Sequence, residues 1–271
     1  MSKSYSFIGT SYLHSCEDQY HNSNNLRFEF QTNLIQAVSE KHPSNIIYNC
    51  SEGGHGITTY FKRLLTLLDR YNPDVFVFEI PNAQRILAHT DNEYGENYDI
   101  HFPVQIWHAG KPQNLDEKFR TVSASIIDDS QVLMEPNELN QYWTEHTNMP
   151  FHLGSKQWQG YVKVLSTFND GEKSRFLDTI AQCEVINDFL VSKGKEVFWF
   201  SWKPNGLKID SDKLTLFKPH SISEWKYEQD IGKVTNPEVA RQHLKQFCYD
   251  DNHLHSKYMP KFAEYFDKIF K

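Results

Sequence analysis

The chain has 271 residues, 39% of them hydrophobic, including 19 Phe, 14 Tyr and 6 Trp. This amount of bulky apolar side chain predicts a substantial core and argues against disorder for most of the chain. The length fits one large domain or two modest ones, and we expect a single domain, residues 1–271. The formal net charge of −7 argues against nucleic acid or an anionic membrane surface as a partner.

The cysteines and the N-terminal segment bear on the cellular compartment. The cysteines lie far apart without any CxxC spacing, which predicts reduced thiols rather than a zinc knuckle or a disulfide framework. No N-terminal stretch is apolar enough for a signal peptide, and no segment approaches the roughly 20 apolar residues of a membrane span. We expect a cytoplasmic protein; a virion component or a protein exported without a signal would show the same features. The cysteines are Cys16, Cys50, Cys183 and Cys248.

Short runs rich in β-branched and aromatic residues alternate with stretches of helical periodicity. This alternation predicts an α/β fold with a mainly parallel sheet flanked by helices. Each run is almost continuously apolar, as in strands that are buried on both faces. The runs are Tyr5 to Gly9, Asn45 to Tyr48, Asp74 to Glu79, Glu196 to Trp202 and Leu214 to Phe217.

The predicted helices each have an apolar side that should pack on the sheet. The first lies between the second and third strands and should leave Lys62, Arg63 and Arg70 in solvent. The second ends at Gly194, the third begins at Asn236-Pro237, and the last closes the chain. The residues expected to face inward are Ile57, Phe61, Leu64, Leu65 and Leu68; Phe176, Leu177, Ile180, Val185, Ile186, Phe189 and Leu190; Ala240, Leu244 and Phe247; and Met259, Phe262, Phe266 and Ile269.

Residues 89–170 break this rhythm, because they are dense in Trp, Tyr, His, Asn and Pro and have little periodicity. The segment is longer than an ordinary connection, so we interpret it as an insertion that forms a lid or a substrate wall. An oligomer contact or a small helical cap is an equal alternative. Trp107, Trp143 and Trp158 could stack on sugar rings, although buried packing is the commoner role of such residues.

The first candidate for chemistry is Gly9-Thr10-Ser11, directly after the first predicted strand. A serine there projects its hydroxyl from the C-terminal edge of the sheet, where open α/β sheets bind ligands. The alternative is an ordinary turn whose hydroxyls bond to local backbone.

A second candidate is the glycine-rich segment Asn49 to Gly56, between the second strand and a helix. Glycines let a backbone N–H approach a bound oxygen closely, and the helix N-terminus favours negative charge. The segment could form half of an oxyanion hole or hold a phosphate, although it matches neither the Walker nor the dinucleotide fingerprint. A loop without a ligand is the remaining interpretation.

The third candidate is Asn82, in the segment that ends the third strand. Its amide can donate to a developing oxyanion without carrying charge. The alternative is a residue that caps the next helix or turns the chain.

The fourth candidate is the segment from Asp250 to His255, just before the last helix. Asp250 stands three residues ahead of His253, so its carboxylate can accept from the imidazole Nδ1–H while Nε2 faces a serine. Asp251 is close enough to take the same role. A metal site of Asp250, Asp251, His253 and His255 is one alternative, and a solvated polar loop is another.

In this order, the four segments resemble the sequence blocks of the SGNH (GDSL) hydrolase superfamily, over most of the chain outside the insertion. Gly9-Thr10-Ser11 is similar to the Gly-Asp-Ser block, and Asn49 to Gly54 is similar to the Asn-x-Ser-x-x-Gly block. Asn82 matches the asparagine of Gly-x-Asn-Asp, and Asp250 with His253 matches the terminal Asp-x-x-His. The resemblance implies a flavodoxin-like three-layer α/β/α sandwich with a mainly parallel five-stranded sheet.

The resemblance also implies roles and an activity. Ser11 is the implied nucleophile, His253 its base and Asp250 the orienting acid, with Ser11, Gly54 and Asn82 forming the oxyanion hole. The implied enzyme is a serine esterase that acts on a small-molecule or glycan ester, such as an O-acetylated carbohydrate, or an acyltransferase. It needs no metal and no organic cofactor. The sequence does not predict the oligomeric state.

Three positions depart from the family pattern: Thr10 replaces Asp, Ile80 replaces Gly and Ala83 replaces Asp. These changes leave the five implied site residues in place, but they mark a divergent member whose substrate does not follow from the resemblance. A catalytically silent binding or structural protein with the same fold is one alternative function. A metal-dependent phosphoesterase that uses the Asp/His cluster is the other.

Overall fold

The structure is a computed structural model, and the residues it describes are 3–10, 13, 34–51, 57–81, 86–88, 104–113, 125–127, 172–202, 209, 211–248 and 254–270. The strands are β1 (Ser4–Ile8), β2 (Ile46–Asn49), β3 (Val75–Glu79), β4 (Ile86–Ala88), β5 (Gln105–His108), β6 (Lys111–Gln113), β7 (Ser125–Ile127), β8 (Glu196–Ser201) and β9 (Leu216–Ser221). Within the described residues, seven strands form one sheet in the order β6-β5-β2-β1-β3-β8-β9, and β4 pairs with β7 separately.

The strands predicted from the sequence form the parallel part of this sheet, in the order β2-β1-β3-β8-β9. Counted along the chain, this is the 2-1-3-4-5 order of flavodoxin-like doubly wound sheets. The prediction of five strands is wrong, because β5 and β6 from the insertion extend the β2 edge in the antiparallel direction. The sheet is therefore mixed and wider than the prediction.

Helices connect and flank these strands. They are α1 (Leu34–Lys41), α2 (Tyr60–Arg70, after a 3-10 turn at Ile57–Thr59), α3 (Glu172–Ser192), α4 (Ile222–Asp230), α5 (Pro237–Lys245) and α6 (Met259–Ala263, between 3-10 turns at Ser256–Tyr258 and Glu264–Ile269). The sequence analysis missed α1 and α4. The predicted caps are confirmed: the Asn236 side chain accepts from the Glu238 amide at 2.9 Å, and Gly194 follows α3 with φ +73°.

Alternate residues of the central strands enter two separate hydrophobic clusters, one on each face of the sheet. Phe7 and Val77 belong to the first cluster, together with side chains of α1 and the C-terminal segment. Ile8 and Phe78 belong to the second cluster, together with side chains of α2 and α3. Neighbouring strand residues point to opposite faces, so each face carries its own helical layer. This arrangement is compatible with the predicted three-layer sandwich.

Two helices present different faces from those predicted. Arg63 of α2, expected in solvent, is fully buried, whereas Phe61 and Leu65, expected inside, are 41% and 45% exposed. On α3, Leu177 and Val185 are also exposed instead of buried. The Arg63 guanidinium hydrogen-bonds backbone carbonyls at the sheet edge, and such bonds offset the cost of burying a charge. The face of α2 that packs on the sheet is therefore the one that carries Arg63, and not the one that carries Phe61 and Leu65.

The described parts of the insertion belong partly to the main sheet. Strand β5 pairs with β2 from Ile46↔His108 to Asn49↔Gln105. Trp107 on β5 is 3% exposed and packs in the first hydrophobic cluster, so it is a core residue and not a platform for sugar. Trp143 and Trp158 lie outside the described residues. Strands β5 and β6 of the 89–170 segment therefore extend the main sheet, and a lid or substrate wall in the rest of the segment stays a prediction.

Candidate active site

The C-terminal ends of β1, β2 and β3 meet at one edge of the sheet, because the three strands are parallel. The helix that follows β1 packs in the first cluster, and the helix that follows β2 packs in the second, on the opposite face. In open α/β sheets, the point where the strand order reverses, here between β1 and β3, is where connections on the two faces usually leave room for a ligand. Ligands of open α/β sheets bind at such a switch point.

Glu79, the last residue of β3, joins the two sides of this switch point. Its carboxylate accepts a hydrogen bond from the Thr10 backbone N–H at 2.8 Å. The Thr10 hydroxyl lies 2.8 Å from Oε1 and 3.0 Å from Oε2 of the same carboxylate. Both residues are buried, with Glu79 3% and Thr10 1% exposed. The turn after β1 is therefore anchored to the end of β3 by a buried side chain.

Arg63 holds the same edge from the second face. Its Nη1 donates to the Gly9 carbonyl at 3.2 Å and to the Cys50 carbonyl at 3.0 Å. These carbonyls belong to the residues that follow β1 and β2, so one guanidinium fixes the starts of two loops. A planar, always protonated guanidinium suits this role better than a lysine ammonium.

Asn49 provides a third connection at the end of β2. Its side-chain nitrogen donates to the Leu13 carbonyl at 3.0 Å and to Oε1 of Gln105 at 3.1 Å, and its oxygen accepts from the Ser51 amide at 3.2 Å. Leu13 lies on the β1 side and Gln105 begins β5. The loop after β1, the loop after β2 and the first residue of β5 are thus tied together through one buried amide.

The described residues on either side of the predicted base are paired with each other. Cys248 and Leu254 form an antiparallel bridge, and the His255 amide donates to the Phe247 carbonyl at 2.9 Å. Leu254 is 1% exposed and belongs to the first hydrophobic cluster, which also contains Leu13. The chain segments next to position 253 and next to position 11 are therefore anchored in one core.

A second charged network joins α4, α5 and α6. Lys226 of α4 is fully buried and pairs with Asp230, whose other oxygen accepts from His243 Nε2 of α5 at 2.9 Å. Burial by itself raises the pKa of Asp230, but hydrogen bonds from Lys226 and His243 outweigh it and lower the pKa to about 2. Burial lowers the pKa of the Lys226 ammonium, and Asp230 opposes that change. Lys261 Nζ lies 3.5 Å from Asp230 Oδ1 and completes the network.

The five residues predicted to carry the reaction, Ser11, Gly54, Asn82, Asp250 and His253, lie outside the described residues. The same is true of Asp251, the alternative orienting acid. The structure describes residues next to some of them. Thr10, Leu13 and Pro81 lie at or beside the ends of β1 and β3, and Leu254 packs on the same face as Leu13.

The alternative metal site also falls mostly outside the described residues. Asp250, Asp251 and His253 lie outside them, and only His255 lies within them. In the part of the chain that the structure describes, no three His, Cys, Asp or Glu side chains form a group that could hold a metal ion.

The sequence analysis missed two residues of this edge, Arg63 and Glu79. Glu79 could have been recognised from the run DVFVFE, which was predicted to be buried throughout. Apart from Asp74 at its start, Glu79 is the one charged residue in that run. A buried carboxylate needs hydrogen-bond donors, and the facing turn supplies them. Arg63 carries no comparable signal, since a basic residue on a helix is normally exposed.

No model of a known protein family and no curated protein matches this sequence. Among the helices that the structure describes, none has the length and apolar character needed to cross a membrane. Function is therefore inferred from the chemistry of the sheet edge and of the sequence motifs beside it.

Proposed function

We propose that this chain is a serine esterase of the SGNH/GDSL type, which hydrolyses a carboxylic ester through an acyl-enzyme on Ser11. The observation that carries the proposal is the anchoring of the turn after β1 at the switch point of the parallel strands. Thr10 is held by Glu79, and the Leu13 amide donates to the Thr10 carbonyl at 3.1 Å, so the described residues before and after positions 11 and 12 are hydrogen-bonded to each other. A nucleophile needs such a rigid support.

The C-terminal loop supports the proposed partner of Ser11. Cys248 and Leu254, the described residues nearest to His253 on either side, are paired with each other, and Leu254 belongs to the same cluster as Leu13. Two positions far apart in sequence thus have neighbours in one core, as a serine and its base require. The 2-1-3-4-5 strand order also agrees with the flavodoxin-like fold that we propose for the domain.

In the proposed reaction, the Ser11 hydroxyl oxygen attacks the ester carbonyl carbon while His253 takes the hydroxyl proton. The intermediate then collapses, and the alcohol leaves with the proton from His253. A water molecule attacks the acyl-enzyme, with His253 again as base, and the carboxylic acid is released. Asp250 orients His253, and the backbone N–H groups of Ser11 and Gly54 with the Asn82 amide stabilise the oxyanion.

The ester class is the open part of the proposal. Because Trp107 is buried, Trp143 and Trp158 are the insertion tryptophans left for stacking on a sugar ring. O-acetylated glycans are therefore the first class to test, with a simple aryl acetate as the reference substrate. Transfer of the acyl group to an alcohol instead of water would make the same chain an acyltransferase.

Covalent labelling tests the proposal directly. A fluorophosphonate probe should label the purified protein, Ser11→Ala should abolish labelling, and Ser192→Ala, an exposed serine at the end of α3, should leave it unchanged. Hydrolysis of p-nitrophenyl acetate should follow the same pattern and should survive a chelator. A folded wild-type protein that is neither labelled nor active contradicts the proposal and favours a silent binding protein. Chelator-sensitive hydrolysis of p-nitrophenyl phosphate would favour the metal-dependent alternative.

A further inference from the structure

The carboxylate of Glu79 is buried directly against the segment that leads to Ser11. Glu79 ends a strand whose other side chains are all apolar, and it is 3% exposed. Its Oε2 accepts a hydrogen bond from the Thr10 backbone N–H at 2.8 Å, and both carboxylate oxygens lie within 3.0 Å of the Thr10 hydroxyl oxygen. Charged acceptors make hydrogen bonds about twice as strong as neutral ones. The orientation of the Thr10 peptide is therefore set by Glu79.

Gly9 makes this approach possible. A Cβ atom at position 9 would lie 2.7 Å from Glu79 Oε2 and 2.6 Å from Leu13 Cδ1, closer than real Cβ atoms come to their neighbours. Any side chain at position 9 would thus push the carboxylate or Leu13 away. Gly9, Thr10 and Glu79 form one unit, in which the glycine provides space, the threonine provides donors and the glutamate provides the acceptor.

We propose that Glu79 is the positioning residue for the nucleophile, and that it supplies from β3 the carboxylate that the Gly-Asp-Ser pattern places at position 10. This inference rests on the proposed function of Ser11. It also explains why Thr10 replaces Asp, since an aspartate there would bring a second carboxylate to the position of the Thr10 hydroxyl, within about 3 Å of Glu79. Two carboxylates so close cannot both be ionised without a large penalty.

Glu79→Gln keeps the shape of the side chain and removes its charge. We expect kcat for p-nitrophenyl acetate to fall about tenfold, with KM changed by less than about twofold, because the acceptor weakens but substrate contacts stay. Fluorophosphonate labelling should be slower but still specific for Ser11. If kcat falls only in proportion to the fraction of protein that can be labelled, and the labelled fraction reacts at the wild-type rate, the substitution acts on folding alone. That result would indicate a merely structural role and would overturn the inference.

Thr10→Asp is the sharper test. We expect a larger loss of kcat than for Glu79→Gln, and the activity ratio of variant to wild type should rise as the pH falls, because one of the two carboxyl groups then takes a proton. Glu79→Gln combined with Thr10→Asp should recover most of the loss, since a single carboxylate is restored. A double variant no better than Thr10→Asp alone contradicts the inference.

Thr10→Val and Thr10→Ser guard against variants that do not fold. Thr10→Val keeps the shape and the amide donor but removes the hydroxyl, so kcat should fall about threefold to tenfold, and Thr10→Ser should restore it. Unchanged kcat in a folded Thr10→Val protein would overturn the role of this unit. If wild-type protein is not labelled at Ser11, the proposed function itself fails and this inference falls with it, whereas labelled wild type with unaffected variants removes only the inference.

Discussion

Among the residues that the structure describes, two basic side chains are completely buried, and they have different partners. Arg63 hydrogen-bonds the main-chain carbonyls of Gly9 and Cys50, which belong to two loops at the sheet edge. Lys226 pairs with the side chain of Asp230, one turn away on the same helix, in a network that reaches α5 and α6. Because Arg63 binds main-chain carbonyls, it fixes the backbone at the start of two loops. Lys226 binds another side chain, so it joins helices without fixing their backbone.

This difference predicts different roles for the two networks. The edge network of Arg63, Glu79 and Thr10 should contribute to stability and also control the geometry of the turn beside Ser11. The helix network of Lys226 and Asp230 should contribute to stability alone, in a way that depends on pH. Four substitutions test the contrast.

Arg63→Leu should have the largest effect. It leaves the carbonyls of Gly9 and Cys50 without this donor in a buried place, and each such loss costs about 1–3 kcal/mol, or roughly 2–6 kcal/mol together. Urea unfolding followed by circular dichroism measures the free energy of unfolding. Arg70→Leu, an exposed arginine on the same helix, is the control and should change that free energy by less than about 0.5 kcal/mol. Equal effects of the two variants would show that burial of Arg63 is irrelevant.

Gly9→Ala should come next, with a loss of about 1–3 kcal/mol, because the added methyl group meets Leu13 and Glu79. Gly194→Ala separates crowding from backbone strain. Position 194 has open space but a φ of +73°, so its loss of about 1 kcal/mol should come from conformation alone. We further expect only Gly9→Ala to slow labelling of Ser11. Slower labelling in both variants would refute a specific role of the edge.

Asp230→Asn should lower the free energy of unfolding by about 1 kcal/mol at pH 7, a value reduced for the partial solvent exposure of this carboxylate. The folded-state pKa of about 2 lies below the unfolded value of about 3.9. The stabilisation is therefore present above pH 4 and is lost as the pH falls toward 2. Unfolding experiments from pH 7 to pH 2 should show a steeper acid slope for wild type than for Asp230→Asn. Parallel slopes would contradict a linked ionisation.

Asp188→Asn should have the smallest effect. Its carboxylate lies 3.1 Å from Lys213 Nζ, but both side chains are more than half exposed, at 57% and 51%. Solvent screens such pairs, so we expect no measurable change in the unfolding midpoint. A loss comparable with that of Asp230→Asn would mean that burial does not distinguish the two ion pairs.

The central strands of the fold were predictable because their side chains are apolar on both faces. Val75 to Phe78 and Val197 to Phe200 have that pattern, and the structure has strands there. Helix α4 was missed because its sequence, ISEWKYEQD, buries Lys226 as well as Ile222, and a buried lysine hides the apolar side. The hairpin of β5 and β6 was missed because its strands are short and include Pro112.

The candidate site was predictable only where motifs follow strand ends. Sequence reasoning singled out the segments after β1 and β3, because consecutive parallel strands end at the same edge. It could not find the contact between Thr10 and Glu79, which are 69 residues apart and meet only once the strand order is known. It also assigned Arg63 to solvent, because every residue has a backbone carbonyl and the sequence does not show which carbonyls will face the arginine. The roles of Ser11 and His253 stay predictions.

The pairing of β2 with β5 limits how this protein can be redesigned. An engineer who treats 89–170 as an exchangeable module and grafts another loop in its place would strip the hydrogen-bonding partner from β2 and remove Trp107 from the core. The bared strand would then offer its free amides and carbonyls to other chains, which is a route to aggregation. A chimera should keep 104–113 and replace only the stretches on either side of it.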